Sequence, residues 1–231
     1  RNWITVARAL ASDYQFHLVD LRNHGASPHT QTMNYLDMVA DVRRLLVTLA
    51  LDEFTLVGHS MGGKAAMTLA LNDPRGLRRL VSVDIAPVSY PDRFVDIIDA
   101  LQALDLRTIA RRADADRALT SAIPETSVRL FILQNLLFEQ GLARWRLNLT
   151  TLKRDMASIL GPLPVAAGAH YDGASWFIRG ALSDRVGDEH LPLIAKWFPH
   201  YRLETIAGGG HWPHAEAPVA FLTAFARALD A

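Results

Sequence analysis

A serine lies among glycines in the segment VGHSMGG, residues 57–63. Residues 58–62 match the pattern G-x-S-x-G, with the apolar run FTLV before them and the Ala/Leu-rich run GKAAMTLAL after them. A sharp turn from strand to helix strains the central residue, so we expect the flanking glycines to avoid Cβ clashes. Such a turn exposes the Ser60 hydroxyl. It predicts a nucleophile whose developing negative charge is stabilised by the Met61 N–H and the helix dipole.

A serine hydroxyl is a weak nucleophile near neutral pH and needs a base, which is usually histidine. Of the nine histidines, His211 in IAGGGHWPHAEAP follows the last predicted strand, on a glycine-rich loop before the final helix. The chain order Ser, acid, His places the base there. His214 is the local competitor, but its position near a helix start favours a solvated side chain. The ring of His59 should point away from the hydroxyl. His17, inside a predicted strand, is expected to be a core or surface residue. His24, on the loop after that strand, could line the pocket, but structural packing is the favoured role.

A carboxylate must hold the imidazole in the correct tautomer and stabilise its charged form. Asp184, in RGALSDRV, lies shortly after the predicted strand WFIRG. Asp84, in SVDIAP, ends the strand expected beside the nucleophile strand. Either carboxylate could reach a histidine on a neighbouring loop, so spacing leaves both as candidates. The other aspartate would then cap a loop or form an ion pair.

Short apolar, β-branched runs alternate with helical patterns along the chain. Near-continuous apolar strands are typical of a parallel sheet that is buried on both faces. The alternation predicts an α/β fold with an open, doubly wound, mostly parallel sheet. The predicted strands are FHLVDL (16–21), FTLVG (54–58), LVSVDI (80–85), WFIRG (176–180) and YRLETIA (201–207).

One connection is far longer than an ordinary crossover. About 90 residues separate the third and fourth predicted strands, whereas a βαβ crossover takes about a dozen or more. Their pattern is helical, and the run LFILQNLLFEQ is strongly apolar. We therefore predict that residues 88–160 form a helical lid over the carboxyl edge of the sheet, where open α/β sheets bind ligands. Residues 1–87 and 161–231 would form the core.

Composition limits the other classes of function. The 231 residues carry a formal net charge of zero, so no nucleic-acid partner is indicated. No apolar run approaches the roughly 18 residues of a membrane span. The absence of cysteine excludes disulfides and thiolate metal sites, and it fits a reducing compartment, so we expect a cytoplasmic location. Neither a metal nor an organic cofactor is implied.

The predicted nucleophile, base and lid occur together with several longer matches. They are NW (2–3), DLRNHGAS (20–27), VGHSMGGKAAM (57–67), LVSVDIAPVSY (80–90), FIRGALSDRV (177–186) and GGGHWPHAEAP (208–218). On these residues the chain resembles the α/β-hydrolase superfamily, and more narrowly the small lid-bearing serine esterases of the YbfF type. The resemblance covers essentially the whole chain.

The resemblance implies a serine hydrolase that cleaves carboxylic esters through an acyl-enzyme. The triad acid of that group lies in the VDIAP-like segment, which favours Asp84, although this chain also carries Asp184 in the later loop where many members lack a carboxylate. The apolar lid favours small-molecule esters with short to medium apolar acyl groups. A thioesterase or a carbon–carbon bond hydrolase would use the same triad, and a non-catalytic binding module on this fold is the alternative from another class.

The resemblance also bears on the start of the chain. In that group a His-Gly segment precedes NW, and its backbone amide supplies half of the oxyanion hole. This sequence begins at Arg1, just past that point. We therefore expect either a fragment or a natural variant that lacks the first strand and one oxyanion donor.

Overall fold

The structure is a computed structural model that describes residues 2–230. Short 3₁₀ turns occur at Leu106–Thr108 and Asp188–His190. The helices and strands, in chain order, are α1 (Ile4–Ala9), α2 (Tyr35–Thr48), β1 (Phe54–His59), α3 (Met61–Asn72), β2 (Leu77–Val83), α4 (Val95–Ala103), α5 (Arg112–Leu119), α6 (Thr126–Leu133), β3 (Leu136–Glu139), β4 (Leu142–Trp145), α7 (Leu149–Arg154), α8 (Met156–Leu160), β5 (Ala174–Gly180), α9 (Leu191–Trp197), β6 (Tyr201–Ile206), α10 (Pro213–Glu216) and α11 (Pro218–Asp230).

The central sheet is parallel throughout its described ladders and has the strand order β1-β2-β5-β6. The middle strands β2 and β5 are the most buried, as expected for strands covered by helices on both faces. Because the strands are parallel, their carboxyl ends lie at one edge, and the loops that follow them meet there. The α/β fold predicted from the sequence is confirmed.

Four of the five predicted strands are confirmed as β1, β2, β5 and β6. The prediction of a strand at residues 16–21 is wrong, although the apolar alternation there is real. Within the described part of the chain, residues 15–20 exchange no main-chain hydrogen bonds, and a strand is defined by its ladder. Leu18 and Val19 are 48% and 47% exposed, so their side chains also lack the packing that a buried strand would have.

The core beneath the site joins the sheet to the C-terminal helix. Phe221 and Phe225 of α11 are fully buried against β2, β5 and β6, and each contributes about 1.5–3 kcal/mol relative to an exposed side chain. This packing anchors the segment between β6 and α11. The buried cluster consists of Val6, Val81, Val83, Trp176, Ile178, Ile206, Phe221, Ala224, Phe225, Ala228 and Leu229.

The chain divides into two compact units. The first comprises Arg1–Val19, Tyr35–Ser89 and Pro162–Ala231, and the second comprises Asp20–Asn34 and Tyr90–Gly161. The second unit therefore includes most of the segment predicted as a lid, together with a loop from much earlier in the sequence. Its role as a lid stays a prediction.

The sequence predicted that residues 88–160 are helical throughout, and this is wrong for part of the second unit. The apolar run LFILQNLLFEQ leaves the helical conformation after α6 and continues as β3, which pairs antiparallel with β4. The connecting residues Gln140 and Gly141 both have positive φ, at 50° and 80°. Two such residues favour a tight hairpin turn. A short apolar run has no period that separates strand from buried helix, which explains the wrong prediction here.

Candidate active site

Ser60 occupies a strained turn between β1 and α3. Its backbone has φ 53° and ψ −122°, a conformation that side chains other than glycine rarely adopt. The turn is tight because a Cβ on Gly58 would lie 2.1 Å from the carbonyl oxygen of Gly62. The Ser60 amide donates to the carbonyl oxygen of Val83 on β2, at 3.1 Å. The neighbouring strand therefore holds the strained residue in place.

The steric need for glycine is only partly where the sequence predicted it. The prediction is confirmed at Gly58 and is wrong at Gly62, where no heavy atom lies within 4 Å of an added Cβ. The second constrained position is Gly63, whose Cβ would lie 2.5 Å from Cγ2 of Ile85. Close packing of α3 against the segment after β2 is what requires a glycine there.

His211 lies on the loop between β6 and α10, at the carboxyl edge of the sheet. The loop runs close to β5, because a Cβ on Gly180 would lie 2.1 Å from the carbonyl oxygen of Gly210. Nε2 of His211 lies 3.1 Å from Oγ of Ser60, and Nδ1 lies 2.8 Å from Oδ2 of Asp84. A carboxylate can only accept, so Nδ1 carries the hydrogen. Nε2 is then free to accept the hydrogen of the serine hydroxyl.

Asp84 directly follows β2 and is completely buried. Its φ of 50° turns the chain away from the strand direction. Oδ1 accepts from the amide of Gly180 at 2.9 Å, and Oδ2 accepts from the hydroxyl of Ser183 as well as from His211. Three donors thus compensate for the loss of hydration of this buried carboxylate.

Asp184 lies elsewhere, although it follows β5 as the sequence suggested. Its side chain is 66% exposed and forms an ion pair with Arg185 at 3.4 Å. The structure therefore brings Ser60, His211 and Asp84 into one hydrogen-bonded chain that does not include Asp184. The adjacent Ser183, which sequence reasoning missed, is the residue of this loop that contacts the buried carboxylate. Its only sequence signal was its position one residue before a candidate acid.

Two further histidines pack beside the candidate base, His211. The ring of His59 lies 4.8 Å from that of His211 and 5.1 Å from that of His214, between ring centroids. Burial and the nearby His211 lower the pKa of His59 well below its usual 6.5, and the same causes lower the pKa of His214 to about 4. Both rings are therefore neutral near pH 7. The predicted solvation of His214 is wrong, because its side chain is 93% buried, at 7% exposure.

The remaining histidines lie apart from this chain of hydrogen bonds. His17 is exposed, and not in a strand. His24 belongs to the second unit, where its Nδ1 donates to the carbonyl oxygen of Arg22 at 3.0 Å, and burial lowers its pKa. The buried position of His24 fits the structural role expected of it. His17 is a surface residue, but its predicted placement inside a strand is wrong.

Met61 is the first residue of α3 and follows Ser60 directly. The N–H groups of the first helical turn have no acceptor within their own helix. The Met61 amide therefore lies beside the serine at the positive end of a twelve-residue helix, which is where an anion is stabilised. Among residues 2–230, the Met61 amide is thus a backbone hydrogen-bond donor directly next to the candidate nucleophile.

Neither a membrane-crossing helix nor a metal cluster is found between residues 2 and 230. The helices there are too short or too polar to cross a bilayer. The histidine, aspartate and glutamate side chains in the same range do not come together in groups of three or more that could hold a metal ion.

Comparisons with known proteins identify the family of the chain. Residues 1–218 match the family model of the alpha/beta hydrolase fold. The chain is 40% identical to the sn-1-specific diacylglycerol lipase ABHD11 of Xenopus laevis, over 99% of this chain and 75% of that protein. It is 36% identical to esterase YbfF of Escherichia coli K12, over 97% of this chain and 86% of that protein.

A solved structure described as a marine microorganism esterase superimposes with a TM-score of 0.92 at 32% identity, over 98% of this chain and 89% of the other. A second neighbour, an E-2-(acetamidomethylene)succinate hydrolase, has a TM-score of 0.78 at 20% identity and shows the fold alone. The family match and the identity to YbfF both extend over nearly the whole sequence. The chain therefore belongs to the α/β-hydrolase family, and within it to the YbfF-like group.

Proposed function

We propose that this chain is a serine hydrolase that cleaves carboxylic esters through an acyl-enzyme. The observation that carries the proposal is the hydrogen-bonded chain from Ser60 through His211 to Asp84. The names of the relatives, which are an esterase and diacylglycerol lipases, support ester hydrolysis in general.

In the proposed reaction, Oγ of Ser60 attacks the ester carbonyl carbon while its proton passes to Nε2 of His211. The Met61 amide donates to the oxyanion of the tetrahedral intermediate. The intermediate collapses, the alkoxide leaves with the proton from His211, and the acyl group stays on Ser60. Water then attacks the carbonyl carbon of the acyl-enzyme while its proton passes to His211. The second tetrahedral intermediate collapses, Oγ of Ser60 leaves with the proton from His211, and the carboxylic acid is released.

Asp84 is proposed as the acid that orients His211. Its burial and its 2.8 Å contact with Nδ1 support this role, whereas Asp184 is exposed and ion-paired. Asp84→Asn should lower kcat by about 10⁴-fold, because the imidazole is then held in the wrong tautomer. Asp184→Asn should leave kcat within about twofold, since a surface ion pair contributes little. Equal small losses in ester turnover for the two variants would refute the assignment.

The proposed substrates are esters with short to medium apolar acyl groups. The strongly apolar run LFILQNLLFEQ within residues 88–160 supports this preference, and the role of residues 88–160 as a lid is part of the same proposal. A panel of nitrophenyl esters of increasing chain length, with acyl-CoA thioesters and a diacylglycerol emulsion beside them, tests it. Highest kcat/KM on thioesters, on charged acyl groups or on very long chains would contradict the proposed class.

The nucleophile has a direct test that does not require the natural substrate. A fluorophosphonate probe should label the wild-type chain, and it should not label Ser60→Ala. Ser158→Ala is the matched control, because it removes a hydroxyl from an exposed position in α8 and leaves Ser60, His211 and Asp84 in place. Absence of labelling in the wild-type chain would favour a non-catalytic binding module.

A further inference from the structure

The residue before the candidate nucleophile contacts the backbone of the candidate base. Nε2 of His59 lies 2.6 Å from the carbonyl oxygen of His211. A carbonyl oxygen can only accept, so Nε2 of His59 carries the hydrogen and donates it. This bond joins the end of β1 to the loop after β6, two elements that are not neighbours in the sheet.

The donor is a neutral imidazole. Burial is the largest cause that lowers the pKa of His59, and repulsion from His211 and His214 lowers it further. The bond therefore keeps its form when His211 takes up a proton during turnover.

The ring of His59 is itself held from behind by His214, which packs edge-on against it at 5.1 Å. Nε2 of His214 donates to Oδ1 of Asn2 at 2.8 Å, and its ring stacks on Trp3 with centroids 5.2 Å apart and planes at 19°. Asn2 and Trp3, the NW pair of the sequence analysis, therefore hold His214, and His214 in turn packs against His59. This packing fixes the side chain of His59.

The loop that bears His211 needs such a contact. Three consecutive glycines, 208–210, precede the histidine, and Gly208 has φ 74°. Glycines leave backbone freedom that side-chain contacts must remove. Asp84 fixes the ring of His211 at Nδ1, and His59 fixes the carbonyl at the other end of the same residue. With its ring and its carbonyl both held, His211 keeps its Nε2 atom directed at Oγ of Ser60.

We propose that His59 is a positioning residue for the base, acting through its Nε2–H donor to the His211 carbonyl. The inference rests on the proposed function, because it gives His59 a part in the same site. It assigns no contact with substrate to His59. The residue before the serine in G-x-S-x-G would then need a side chain long enough to place a hydrogen-bond donor at the carbonyl oxygen of His211.

Two variants with an amide side chain test whether the position of the donor nitrogen matters, rather than the size of the side chain. The side-chain nitrogen of His59→Gln can occupy the place of Nε2, whereas that of His59→Asn can occupy only the place of Nδ1. We expect His59→Gln to keep kcat within about threefold of wild type. His59→Asn should lose about tenfold in kcat, the effect of one lost hydrogen bond, with KM unchanged. An Asn variant at least as active as the Gln variant would overturn the proposal.

A spectroscopic readout tests the bond without turnover. In the ¹⁵N-histidine-labelled chain, His59 should show the Nε2–H tautomer and remain neutral at pH values where a free imidazole, with a pKa near 6.5, is already protonated. An Nδ1–H tautomer, or titration near pH 6.5, would overturn the proposal even if the variants fail to fold. If the wild-type chain shows this tautomer but no fluorophosphonate labelling, the proposed function fails and the His59 contact stands.

Discussion

Ser60→Gly should unfold at a higher temperature than Ser60→Ala, because glycine relieves strain that alanine retains. Both variants remove the hydroxyl and its bond to His211, so their difference isolates the Cβ atom at φ 53° and ψ −122°. A residue in such a conformation costs about 1–3 kcal/mol. Glycine loses about 0.5–1 kcal/mol of this advantage through its greater freedom in the unfolded chain.

The net effect is about 1 kcal/mol in favour of Ser60→Gly, which corresponds to a Tm about 2–4 °C higher for a protein of this size. Calorimetry and urea unfolding measure it. The matched control is Ser158, an exposed residue in α8, where glycine should be less stable than alanine by about 1 kcal/mol. If the glycine variant melts below the alanine variant at both positions, the turn is not strained and the reasoning fails.

Three further outcomes follow from the site. Gly58→Ala should lower the free energy of unfolding by about 1–3 kcal/mol or more through overpacking, whereas Gly62→Ala should be neutral or slightly stabilising; urea unfolding measures both, and equal losses would contradict the packing described. Ser183→Ala should lower kcat about tenfold, because it removes one hydrogen-bond donor from the Asp84 carboxylate, whereas Ser183→Thr should retain activity. Equal kcat values for the two variants would count against a role of the Ser183 hydroxyl in holding Asp84. The pKa of His214 is about 4 in the folded chain and near 6.5 in the unfolded chain, so the unfolded chain binds more protons between these pH values. The free energy of unfolding that is present above about pH 6.5 should therefore fall by about 3 kcal/mol towards pH 4. His214→Gln should flatten this dependence when unfolding is measured at several pH values, and an unchanged slope would contradict the prediction.

The elements that sequence could predict are those whose signal is local. The pattern around Ser60 carries its own turn, and the four strands of the sheet have long apolar runs. Residues 16–21 carry a similar run, but a strand also needs a ladder partner, and periodicity says nothing about partners. Gln140-Gly141 was a usable signal for the hairpin, since a glycine-containing pair between apolar runs favours a tight turn.

The choice between the two aspartates depended on direction, which spacing does not contain. Asp84 and the loop of Asp184 follow neighbouring parallel strands, β2 and β5, so both lie at the carboxyl edge of the sheet, where the candidate base also lies. The positive φ of Asp84 turns its carboxylate towards His211, and positive φ in an aspartate cannot be inferred from its neighbours. The role of Ser183 was hidden for the same reason.

The division of the chain into two units limits how its parts can be exchanged. The second unit combines two separate stretches, and the chain passes between units at four points. Its earlier stretch contributes the fully buried Asn23, whose Oδ1 accepts from Nδ2 of Asn148 at 3.0 Å and whose Nδ2 donates to the carbonyl of Thr32 at 3.0 Å. A chimaera that transplants residues 90–161 alone would separate Asn148 from the Asn23 of its own chain. Recombination between relatives would therefore succeed more often when residues 20–34 travel with them, so the two stretches should be inherited as one module.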